Sequence, residues 1–342
     1  MKKMRMVLLL GLVLALGISA PAVAVEKTGS TASKKAPVKS GKAVKKSKSA
    51  QSAAKSGKHG KGAKASSAKV RKAGLKQNVH KASFDDFEPG KLALRSASAY
   101  VIDQTNGEAL VDKSSSMVLP IASISKLMTA MVVLDAHQDM QEVIAIGEED
   151  VDALKGTRSR LPVGTTMTRE TAMLLALMSS ENRAAHTLGR HYPGGLVAFV
   201  AAMNQKSRDL GMIHTRFEEP TGLSSNNVST ARDLAKMVIA AANYPEIRRF
   251  STTASAQVDV NGHVRAFTNT NALVKSDTWE IGVSKTGFIS EAGRCLVMQA
   301  KVASRPVVIV LLDSNGKMTR VGDANRIKRW MESAGISTAR RA

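Results

Sequence analysis

Apolar residues are spread unevenly along this 342-residue chain. A run from Val7 to Ile18 follows the basic residues Lys2, Lys3 and Arg5. Residues 25–83 then hold almost no large apolar side chain. From Phe84 the apolar positions return with recognisable periods. Ala99-Tyr-Val-Ile-Asp103 and Glu108-Ala-Leu-Val-Asp112 flank Thr105-Asn-Gly107, which predicts a hairpin. Residues from Ala122 to about Ala136 are apolar on nearly every position after Lys126, which predicts a buried helix.

Helical patterns follow at Thr168–Ser179 and Leu196–Leu210, and from Thr230, a capping residue with Asp233 three positions on, to about Ala242. Strand patterns return at Ile281–Phe288, Arg294–Val302 and Pro306–Leu312. Thr319–Met331 closes as an amphipathic helix with Val321, Ala324, Ile327 and Met331 on one face. Strands, helices, strands and a final helix predict an α/β fold of the α+β kind. An antiparallel sheet built from both ends of residues 84–342 is flanked by helices. An all-helical subdomain covers about 140–270.

Charge changes the picture of the N-terminal quarter. The net charge is +22, but residues 25–82 carry 17 Lys/Arg against one acid, Glu26. The basic patch, the apolar run and Ala22-Val-Ala24 have the layout of a signal peptide over 1–24, cleaved after Ala24. The run is short for a membrane span. Export to the periplasm, with no stable membrane anchor, is therefore expected. Residues 25–83 read as a disordered Lys/Ala/Ser-rich tail, too poor in apolar surface to offset the entropy of ordering. The tail is either a tether or a contact to the polyanionic envelope surface. Export argues against nucleic acid. Cys295 is the sole cysteine and reads as a buried core thiol.

Three short motifs carry candidate chemistry: Ser123-Ile-Ser-Lys126, Ser180-Glu-Asn182 and Lys285-Thr-Gly287. Each pattern also occurs by chance, at Ser52 and Ser66, at Ser224 and Ser225, and at Lys27. Local context separates signal from decoy. Ser123 and Lys126 lie three apart at a helix start, so the amine reaches the hydroxyl and free N–H groups favour a developing anion. Burial and a second cation, Lys285, would both lower the Lys126 pKa and suit it as a base. Ser180 can relay a proton, and Asn182 can hold a substrate amide from both sides. Lys285 and Thr286, read as lying near a strand end, can hold a carboxylate. Gly287 lets another backbone approach the strand edge. This chemistry calls for no metal and no cofactor.

Together these motifs resemble the serine–lysine signature of penicillin-binding proteins and class A β-lactamases. Pro120-Ile-Ala-Ser-Ile-Ser-Lys-Leu-Met-Thr129, Met178-Ser-Ser-Glu-Asn-Arg-Ala-Ala185, Glu219-Pro-Thr-Gly-Leu-Ser224 and Lys285-Thr-Gly-Phe-Ile-Ser-Glu-Ala-Gly293 extend the likeness. They most resemble low-molecular-mass penicillin-binding proteins of the D-alanyl-D-alanine endopeptidase type. The resemblance implies a catalytic Ser123, with Lys126 as its base and Ser180 as a proton relay. It also implies substrate contacts from Asn182, Lys285, Thr286, Gly287 and Phe288, with an oxyanion held by the N–H groups of Ser123 and Phe288. The implied partners are peptidoglycan peptide cross-links and β-lactams. Glu181 stands where D,D-carboxypeptidases of this group have Gly, which favours the endopeptidase over the carboxypeptidase alternative. No Glu-x-x-Leu-Asn loop is present, which argues against a β-lactamase.

Overall fold

The computed structural model describes residues 92–339, with side chains described as far as 333. The expected signal peptide, the basic tail and the decoys at Lys27, Ser52 and Ser66 lie outside the described residues. The first elements are β1 (Ser96–Asp103), β2 (Ala109–Lys113) and β3 (Leu119–Pro120). A 3-10 turn, Ala122–Ser125, runs directly into α1 (Lys126–Asp135). Then come β4 (Val143–Ala145), β5 (Thr166–Thr168), α2 (Arg169–Met178), α3 (Asn182–Arg190) and α4 (Gly195–Asp209). These are followed by β6 (Val228–Ser229), α5 (Ala231–Ala241), α6 (Pro245–Thr252), β7 (Ser255–Val260) and β8 (His263–Thr268). The last are β9 (Glu280–Ile289), β10 (Gly293–Val302), β11 (Arg305–Ser314) and α7 (Thr319–Ala339).

Five strands form one antiparallel sheet in the order β2-β1-β11-β10-β9. It unites both ends of the described chain, as the strand pattern predicts. Its central strands are apolar on both faces because helices cover both. Cys295, Val297, Val308, Val310 and Leu312 pack into the layer that contains α1 and α5. Leu296, Met298, Val307, Ile309 and Leu311 pack on the other side with Ala324, Ile327 and Met331 of α7. Burying each such side chain contributes about 1.5–3 kcal/mol. That leaves β9 at one edge, with an open rim.

The helical layer follows from its caps and stripes. The Thr168 hydroxyl accepts the Thr171 N–H at the start of α2, and the Thr230 hydroxyl accepts the Asp233 N–H at the start of α5. The Asp233 carboxylate accepts from the His214 N–H (2.8 Å) and the Thr215 hydroxyl (3.1 Å), tying α5 to the preceding loop. Every residue of α1 from Lys126 to Val133 is buried, as its uniform apolarity predicts. Two features depart from the expected layout. Residues 140–270 are mainly helical but include the ribbons β4–β5 and β7–β8. Lys285-Thr-Gly287 lies inside the ten-residue β9 rather than at its end. The sheet edge, and not the strand terminus, gives the motif its access.

Candidate functional site

Ser123 is the second residue of the 3-10 turn, and Lys126 opens α1. Ala122, just before the serine, has φ +49°, a sparsely populated region for a residue with a side chain. Gly287 and Gly222 hold this turn by close backbone approach. A methyl on Gly287 would lie 2.9 Å from Ile121 O and 3.1 Å from Ser123 N. The turn is thus wedged between β9 and the loop of residues 219–224.

Lys126 is fully buried, and its ammonium meets three oxygens. It donates to Ser123 Oγ at 2.9 Å, Asn182 Oδ1 at 2.8 Å and Thr221 O at 2.5 Å. Burial lowers its pKa to about 7, against the opposing pull of the Glu219 and Glu181 carboxylates. Two of the three partners are carbonyl oxygens, which can only accept. The third is a hydroxyl, which can also donate. A neutral Lys126 therefore keeps two N–H donors for Asn182 and Thr221 and turns its lone pair to the Ser123 O–H. Both protonation states are satisfied in one geometry.

Ser180 stands between α2 and α3 with φ +61°. The next residue, Glu181, is buried and accepts from Arg160 Nε (2.9 Å) and Ser159 Oγ (2.7 Å). The Arg160 guanidinium also lies 4.1 Å from the centre of the Phe267 ring. This anchor holds the turn that presents Ser180 and Asn182 on either side of it. Asn182 Nδ2 donates to Thr157 Oγ1 at 3.1 Å. Asn182 is the first residue of α3, a helix that the sequence reading did not anticipate.

From β9, Lys285 donates to Ser180 Oγ at 2.9 Å and to Thr286 O at 3.0 Å. The Thr286 hydroxyl donates to Thr270 Oγ1 at 2.7 Å. Burial holds the Lys285 pKa well below its ordinary value, and the charges of Lys126 and Arg320 lower it further. The expectation that Lys285 helps to lower the Lys126 pKa is not met: burial alone lowers it, against the Glu219 and Glu181 carboxylates. Phe288 is half exposed, with the Arg294 guanidinium 4.4 Å from its ring centre. The predicted residues therefore form two linked groups, Ser123–Lys126–Asn182 and Ser180–Lys285. Thr286, Gly287 and Phe288 continue the β9 edge.

Several residues of this site had no role assigned from sequence, although Glu219–Ser224 was noted as one of the motif blocks. The Glu219 carboxylate accepts the N–H groups of Thr221 and Gly222, each at 2.6 Å, which folds the loop so that Thr221 O faces Lys126. Buried Asn227 donates to Ser125 Oγ (3.0 Å) and Glu219 O (2.8 Å), fixing that loop to the nucleophile turn. Pro220 and Gly222 are turn signals, but they do not indicate what the turn faces. Arg320 of α7 donates to Gly287 O at 2.9 Å, bringing a further cation behind β9. A cavity of about 180 Å³, lined in part by Asp152, Leu154, Asn182, Thr221 and Leu223, opens beside Asn182. Cys295 is buried, and burial pushes its thiol up to about 11, so it offers no competing nucleophile.

Known proteins are similar to this chain in sequence and fold. A family described as D-alanyl-D-alanine carboxypeptidase matches residues 85–316. A D-alanyl-D-alanine endopeptidase of Pseudomonas aeruginosa is 47% identical over 251 residues, spanning 73% of this chain and 81% of that protein. One from Escherichia coli is 46% identical over 245 residues, spanning 71% and 79%. The crystal structure of the Streptomyces K15 DD-transpeptidase matches with a TM-score of 0.65 at 26% identity, over 72% of this chain and 99% of that one.

Proposed function

This chain belongs to the D-alanyl-D-alanine carboxypeptidase family, and we propose that it is a serine D,D-endopeptidase cleaving D-alanyl–diaminopimelyl cross-links of peptidoglycan. The observation that carries the reading is the Lys126 amine. It is fixed by two carbonyl acceptors, so that its one reversible contact is the Ser123 hydroxyl. The endopeptidase choice rests on the two relatives of that name and on Glu181 within the second motif. The substrate lies outside the cytoplasmic membrane, and we place the protein in the periplasm on the strength of residues 1–24.

In this mechanism the substrate strand adds to the β9 edge beside Gly287. Lys285 and Thr286 hold the carboxylate on the leaving side. Asn182 holds the amide on the acyl side. Neutral Lys126 takes the Ser123 proton as Oγ attacks the D-alanyl carbonyl. The N–H groups of Ser123 and Phe288 steady the oxyanion. Ser180, hydrogen-bonded to Lys285, relays that proton from Lys126 to the departing amine, which leaves Lys126 neutral and Ser180 unchanged. Water then attacks the ester with Lys126 again as base. A β-lactam enters the same path and remains as an ester on Ser123.

The pH dependence follows from the sign of the Lys126 shift. Below about 7 the amine is protonated and cannot accept the serine proton. Acylation by labelled penicillin should therefore rise with pH through about 7. Stopped-time labelling across pH, with peptide mass mapping, should place the adduct on Ser123. A rate that is flat from acid to alkaline pH would exclude Lys126 as the base.

A further inference from the structure

Beyond Asn182 and Phe288, the two walls of the cleft meet in an ion pair that the mechanism above does not use. The Lys155 ammonium holds the carboxylate of Glu291, which sits in the turn between β9 and β10. The Lys155 side chain is 31% exposed and that of Glu291 43%, so both remain within reach of a ligand. Both ends are firmly placed. The Asp152 carboxylate accepts the N–H groups of Leu154 (2.8 Å), Lys155 (2.9 Å) and Thr157 (2.8 Å). Thr157 in turn accepts from Asn182. On the other wall the Ala292 N–H donates to Ile289 O at 3.2 Å, closing the turn that carries Glu291.

The direction of the bound strand follows from the proposed function, on which this inference rests. The leaving residue's carboxylate lies toward Lys285 and Thr286. The acyl half therefore continues along β9 past Phe288 toward Ser290 and Glu291. On the facing wall, Asn182 leads through Thr157 to Lys155. The residue preceding the scissile D-alanine thus enters between Lys155 and Glu291. In a D-alanyl–diaminopimelyl cross-link that residue is itself a diamino acid, whose side chain ends in an ammonium and a carboxylate.

We infer that Lys155 and Glu291 form a clamp for this zwitterionic end, Lys155 taking its carboxylate and Glu291 its ammonium. The ligand exchanges one ion pair for two charge-assisted contacts of matched sign and leaves no charge unpaired. A lysine at the same position brings only the ammonium. It draws Glu291 away and leaves Lys155 without a partner. The clamp therefore selects diaminopimelate over lysine on the acyl side, separately from the residue that leaves.

The test compares two cross-linked model peptides that differ only in that residue, diaminopimelate or lysine. The unaltered protein should favour the diaminopimelate peptide in kcat/KM by about tenfold, the scale of two exposed ion contacts. Lys155→Ala and Glu291→Ala should each bring the ratio close to one, the loss falling on the diaminopimelate peptide. Thermal melting confirms that each variant is folded. A preference that survives both substitutions overturns the clamp. So does a change of equal size on both peptides, which would mark the pair as a closing strap. Labelled penicillin on the unaltered protein separates the two levels: no adduct on Ser123 would overturn the catalytic reading, and the clamp with it.

Discussion

Ser123→Ala should abolish penicillin capture and cross-link cleavage together, with a loss on the order of 10⁴–10⁶-fold. The substitution removes the single oxygen that becomes esterified. It leaves the surroundings almost intact. Lys126 keeps Asn182 Oδ1 and Thr221 O, and the turn keeps its contacts to Gly222 and Gly287. The melting temperature should therefore move little. Activity and folding separate cleanly in this variant, and peptide turnover with labelled penicillin beside it measures both. A Ser123→Ala protein that still cut cross-links would put the nucleophile elsewhere.

Gly222→Ala should be nearly as damaging, although residue 222 carries no functional group. Its φ of +83° is one that alanine adopts at a cost of about 1–2 kcal/mol. The added methyl would lie 1.9 Å from Ala122 O and 2.7 Å from Ser123 N. Both are backbone atoms, so no side chain can swing aside. Relief requires moving either the nucleophile turn or the loop that presents Thr221 O to Lys126. A displacement of about 1 Å at a reacting group costs roughly 10²-fold in rate. Strain and overpacking together should lower stability by about 2–4 kcal/mol, or roughly 5–15 °C in melting temperature. Gly262→Ala is the control. Its φ is +79°, but nothing lies within 4 Å of the added methyl. It should melt slightly lower and acylate normally. Normal acylation by Gly222→Ala would mean that the loop is not the wedge described.

The parts of this molecule legible in its sequence are those where one residue's surroundings repeat along the chain. Pro306–Leu312 and Arg294–Val302 read as strands because both faces are buried, and α1 read as buried because it is apolar all round. The ribbon β7–β8 was missed despite Asn261-Gly262. Most of its residues face solvent, so the alternation carries little contrast. Helix α3 was missed for a related reason: Asn182–Arg190 is largely polar, and its N-cap residue, Glu181, turns its side chain to Arg160 and Ser159 instead of the helix end.

The site divides in the same way. Ser123 and Lys126 meet through helical spacing, which sequence shows. Lys126 meets Asn182 across 56 positions and Thr221 across 95, which it does not. Thr221 acts through its carbonyl, a group that every residue has, so residue type gave no signal. The low Lys126 pKa was anticipated, and the structure assigns it chiefly to the packing around α1.

Digestion of purified cross-linked muropeptides, followed by mass analysis, tests the central claim most directly. The account predicts that dimers joined through D-alanyl–diaminopimelate disappear and monomers accumulate, with Ser123→Ala leaving the dimers untouched. Dimers that persist while only a terminal D-alanine is lost would contradict it and make the protein a carboxypeptidase.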